Sequence, residues 1–90
     1  MKVLIIAKMK DTWSMLTPEV RKQLFDEQAK FLKKCAIEGK LKEIYFLADC
    51  NGGASIWEID SAEEGARLFL ELPTYVYQDF QLHILSEFPF

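Results

Sequence analysis

The stretch Leu72-Pro73-Thr74-Tyr75-Val76-Tyr77-Gln78-Asp79-Phe80-Gln81-Leu82-His83-Ile84-Leu85 contains both a stop and a change of period. Pro73 ends the helical run before it, because it lacks an N–H and disfavours helical geometry at Leu72. From Val76 onward the pattern has period two. Val76, Phe80, Leu82 and Ile84 fall on one side of an extended strand and read as core. Tyr77, Asp79, Gln81, His83 and Leu85 fall on the other. That second side gathers a phenol, an amide and two acid–base groups, so it is the first place to look for chemistry. A half-solvated strand face is the plain alternative.

Upstream of this stretch, Ser61-Ala62-Glu63-Glu64 is a capping box that starts a helix at about Ala62, with Ala66, Phe69 and Leu70 as its buried stripe. Residues 54–59 form a strand with Ile56 and Glu58 on one side and Trp57 and Ile59 on the other. Asp49-Cys50-Asn51-Gly52-Gly53 is a turn, since Asn and Gly accept positive φ at little cost. Residues 41–48 are a strand that is apolar on both sides in its second half. Thr17-Pro18-Glu19 opens a helix from about Pro18 to Glu38, buried along Val20, Leu24, Phe31, Leu32 and Cys35, and Gly39 ends it. Residues 2–9 are a first strand, apolar on both faces and so expected to be central and covered. The connector 10–16, with Trp13, Met15 and Leu16, is unusually apolar, and the tail 86–90 carries Phe88 and Phe90.

The order is therefore β-α-β-β-α-β over a single domain, residues 1–90: an α+β, ferredoxin-like antiparallel sheet with two helices on one face. Two helices cover only one sheet face, yet the first two strands are apolar on both. This predicts a homodimer of sheets packed face to face, with the aromatic tail reaching across.

Half of the 90 residues are hydrophobic and 13% aromatic, which marks a folded chain. A net charge of −3 argues against nucleic acid, and no segment is long enough to span a bilayer. With nothing resembling a signal peptide, the expected compartment is the cytoplasm. Cys35 and Cys50 have neither metal-ligand nor CxxC spacing.

Gly39-Lys40, the run Ser55-Ile56-Trp57-Glu58-Ile59-Asp60-Ser61 with Glu64 after it, Leu72-Pro73, and Tyr77-Gln78-Asp79-Phe80 leading to Leu85 together resemble the muconolactone isomerase family. The resemblance spans roughly residues 18–86. It implies a dimeric α/β barrel, in some members a decameric ring, with no cofactor. It also implies a reaction that shifts a double bond in a small unsaturated lactone bearing a carboxylate, in catechol breakdown. Such a reaction needs a base to remove one proton and an acid to return another. It also needs a donor or cation for the dienolate oxygen and the carboxylate. Counting back from Gly39, the resemblance puts the family's carboxylate at Gln28 and its lysine at Leu24, so this sequence departs from the pattern at both. Glu27 and Lys22 are close by, but each step along a helix turns a side chain by about 100°.

The candidate catalytic residues are His83, Asp79, Tyr77 and Glu27; Tyr45 and Trp57 are candidate ligand-binding residues. His83 is the only histidine, the side-chain type that exchanges protons near neutrality. An aspartate such as Asp79 needs burial to do so. Tyr77 and Tyr45 could donate to an oxyanion, Trp57 could wall a flat ligand, and Glu27 could equally belong to a charged helix face with Lys30. The expected function is cofactor-free proton transfer on a small cyclic unsaturated or aromatic metabolite. The alternatives are a non-catalytic ligand-binding or assembly module, or a cofactor-independent oxygenase. An acid–base pair in an enclosed cavity between the first helix and the sheet would favour the enzyme.

Overall fold

The computed structural model describes every residue from Met1 to Phe90. The strands are β1 (Lys2–Met9), β2 (Leu41–Phe46), β3 (Gly52–Glu58) and β4 (Gln78–Leu85). The helices are α1 (Asp11–Ser14), α2 (Pro18–Ile37) and α3 (Ala62–Leu70), and a 3₁₀ turn covers Tyr75–Tyr77. The strands form one antiparallel sheet in the order β2-β3-β1-β4, as the ferredoxin-like pattern requires. No helix is long and apolar enough to cross a membrane.

Local chemistry sets the helix ends. The Thr17 hydroxyl accepts the Val20 N–H at 3.3 Å with Pro18 in the first turn, and the Ser61 hydroxyl accepts the Glu64 N–H at 3.2 Å. Gly39 leaves α2 at φ +80°, where a side chain would be strained.

The register assigns the two sheet faces. Val3 lies opposite Trp57 and Ile84, Ile5 opposite Ser55 and Leu82, and Ala7 opposite Gly53 and Phe80. These share the helix-covered face, where Val3, Ile5, Cys35, Leu41, Trp57, Ile59 and Leu68 form the core. Leu4, Ile6, Ala54, Ile56, Gln81, His83 and Leu85 occupy the opposite, uncovered face.

Several boundaries differ from the sequence reading. The connector 10–16 contains a short helix, α1. β2 stops at Phe46, before the expected Ala48, and β3 begins at Gly52, two residues early. A Cβ on Gly52 would sit 2.1 Å from the Ala7 carbonyl oxygen, so this glycine serves close strand pairing and not only the turn. Val76 is no core residue: it lies in the 3₁₀ turn and is 62% exposed. Leu82 and Ile84 point to the helix side as expected but stay 49% and 67% exposed, because β4 is an edge strand that α3 meets only at its start, through Phe69 on Phe80. On α3 the buried positions are Glu64, Gly65 and Leu68, not Ala66 and Leu70, because the helix packs through Gly65 against Ile59. β1 is central, yet its Leu4 and Ile6 are only half-buried within one chain.

Candidate functional site

Between the middle of α2 and the sheet lies a cavity of about 280 Å³. It exists because side chains on the floor are too small to fill the space. Ala7, Gly53 and Ser55 all point or open toward α2 there, while the bulkier Val3, Leu41 and Trp57 close the far end of the same face. Phe25, Phe46, Trp13, Trp57, Phe69 and Phe80 supply aromatic walls. Phe25 stacks on Phe46 at 6.2 Å, and Phe69 on Phe80 at 5.5 Å.

The polar part of the lining comes from Gln28 on α2, Ser55 on β3, Gln78 at the start of β4 and Asn51 in the turn before β3. Thr74, fully buried, ties two of these together. Its backbone N–H donates to Gln28 Oε1 at 3.2 Å, its hydroxyl donates to the same oxygen, and Gln78 Nε2 donates to its Oγ1. A backbone N–H can only donate, so the Gln28 oxygen must face Thr74 and its amide N–H groups are left over. Trp57 Nε1 donates to Ser55 Oγ at 2.8 Å, which leaves the Ser55 O–H free to donate. No Asp, Glu, His, Lys or Arg lines the cavity.

The sequence candidates disperse around this cavity. Trp57, 3% exposed, is in its wall. Tyr45 borders the cavity on β2, but it pairs with Ala54 of the uncovered face, so its side chain points away from the cavity and its hydroxyl donates to Glu43 Oε1 at 2.8 Å. That bond, with the carboxylate's negative charge, raises the Tyr45 pKa, making the phenol a weaker acid. Tyr77 packs its ring 5.8 Å from Trp13, a cavity-lining residue, and so stands near the mouth. Asp79 follows on the open face, exposed, 3.9 Å from Lys10. His83 lies on that same face opposite Leu4, four residues and about 13 Å further along the strand. Glu27 is exposed, accepts from Gln23 Nε2 at 3.5 Å, and is not in the lining, while its neighbour Gln28 is. Leu24, one turn earlier on α2, is half-buried and also outside the lining. The acid–base groups named from sequence do not converge within one chain.

Gln28, Thr74, Gln78 and Ser55 were not picked out as a site by the sequence reading. Two signals pointed to them. Gln78 shares the parity of Phe80, so it is a polar residue on a core-facing row, and Gln28 falls on the α2 stripe between Leu24 and Leu32.

The sequence model of the family described as muconolactone delta-isomerase matches residues 4–90. No curated protein matches the chain. Among solved structures, a crystal structure of muconolactone isomerase superposes with a TM-score of 0.86 at 20% sequence identity, covering 99% of this chain and 92% of that one. At that identity the superposition speaks to the fold.

Proposed function

The chain belongs to the muconolactone delta-isomerase family, and from that premise we propose that it takes a small, flat, unsaturated cyclic or aromatic molecule into the helix–sheet cavity. The observation that carries this reading is the cavity itself. At about 280 Å³ it lies just below the roughly 300–1,000 Å³ typical of drug-sized ligands. Aromatic walls suit the faces of a flat ring, and the amide and hydroxyl groups orient its oxygen atoms. The test is thermal denaturation with a panel of small unsaturated lactones and phenols. A ligand at 100 times its Kd adds about 2.7 kcal/mol of stability, roughly 10–20 °C in Tm for a chain of this size. No shift with any ring compound, from folded protein, would overturn the reading.

A second reading, proton transfer on the bound ring, is favoured by the family and by Tyr77, whose ring stands 5.8 Å from the cavity-lining Trp13. The resemblance implies no cofactor for it. Asp79, His83 and Glu27 would serve it only through a second copy of the chain. We also propose such a copy: Leu4, Ile6, Ile56 and Leu85 form an apolar sheet face that a two-fold partner would cover. Incubation of muconolactone and of its methyl ester in D2O, followed by proton NMR, separates the two readings. Deuterium incorporation lost in Tyr77→Phe or Asp79→Asn supports turnover by those groups. Binding without exchange leaves a ligand-binding protein.

A further inference from the structure

Resting on the ring-binding reading above, we infer that the ligand of this cavity is neutral: an unsaturated ring bearing carbonyl or hydroxyl oxygens and no carboxylate. The charged residues of the chain are kept out of the lining. Lys22 is paired with Asp26 at 2.8 Å on the exposed side of α2, and Lys10 stands outside with Asp79 at 3.9 Å. Lys34, Glu38, Lys40, Glu64, Arg67 and Glu71 gather in a separate cleft between α2 and α3. An ionised carboxylate brought among the aromatic walls would give up its hydration and meet no countercharge, which is strongly unfavourable.

What the cavity offers instead is neutral donors. The Gln28 oxygen is held by the Thr74 N–H and hydroxyl, so its amide nitrogen is the end left to donate. Ser55 already accepts from Trp57, so its O–H is likewise free to donate. Two such donors match lactone, enone or quinone carbonyl oxygens, which need acceptor-to-donor bonds and no charge. The family resemblance alone would have suggested a lactone with a carboxylate. The lining of this chain, with Gln28 as its only polar side chain from α2 and no Lys, Arg, Asp, Glu or His, holds no countercharge for such a ligand.

The experiment compares a matched pair at neutral pH: muconolactone as its carboxylate, and muconolactone methyl ester. Binding is followed by the intrinsic fluorescence of Trp13 and Trp57, both of which line the cavity. The expected result is saturable binding of the ester with the carboxylate at least about tenfold weaker, a difference of 1.4 kcal/mol. Equal or tighter binding of the carboxylate overturns the inference and leaves the ring-binding reading standing. Absence of binding by both compounds overturns the ring-binding reading, and the inference falls with it.

Discussion

Thr74 has no exposed surface, and it joins the loop after α3 to the middle of α2 and the start of β4. A buried hydroxyl with two side-chain partners is costly to remove, because its partners stay behind unsatisfied. Thr74→Val keeps the shape and deletes the oxygen. It should cost about 1–3 kcal/mol, read from urea midpoints, with Thr74→Ser losing clearly less. Equal stability of the valine variant and the parent would show that the Gln28–Thr74–Gln78 cluster contributes nothing. Because Gln28 and Gln78 line the cavity, the same variant should also weaken ring binding.

Among the elements, α3 is fastened to the turn between α2 and β2 by one ion pair with capping support. Glu64 lies 3.1 Å from Lys40, and its other oxygen accepts the Asp60 N–H at 3.3 Å. The hydrogen bond from Lys40 is the main cause holding the Glu64 carboxyl below its ordinary range, and the same bond raises Lys40. A carboxyl lowered on folding contributes stability above its unfolded pKa and loses it as pH falls through the folded value. Lys40, raised on folding, contributes below its unfolded pKa and loses it as pH rises through the folded one. Glu64→Gln should therefore melt below the parent at pH 7, and the gap should close as the pH falls below the ordinary carboxylate range. A gap that persists unchanged at pH 3 would mean that shape, not charge, sets the contribution of Glu64.

For the whole molecule, the thin core is the main fact. Twelve of 90 residues are buried in the single chain, too few for a chain this apolar to be comfortable alone. Its radius of gyration is 13.7 Å, against about 12 Å for a compact chain of this length. The uncovered sheet face, with half-buried Leu4, Ile6 and Ile56, is where association would add most apolar burial. The expected outcome is a dimer or larger assembly by light scattering, shifted to monomer by Ile6→Asp. A monomeric parent at micromolar concentration would rule out the face-to-face pairing. Phe88 and Phe90, 74% and 108% exposed, leave β4 at the Lys2 end of the sheet, opposite the cavity end at Met9 and Gln78.

Element types and order were legible because they rest on local rules: the Thr17-Pro18 and Ser61 caps, the Gly39 stop, and the alternation from Phe80 to Ile84. Parity also assigned Trp57 and Ile59 to the core without knowledge of any partner strand. What it could not assign was cover. Leu82 and Ile84 have core parity but sit on an edge strand, and edge position is a property of strand order, not of the strand. The cavity was hidden for the same reason. Ala7, Gly53 and Ser55 are small residues on two separate strands, and only the register between β1 and β3, under the middle of α2, turns them into one floor. His83 and Asp79 shared a face as read, yet that face is turned away from the helices. A period of two says which residues lie together; which side the helices cover is settled by how the helices pack back on the sheet.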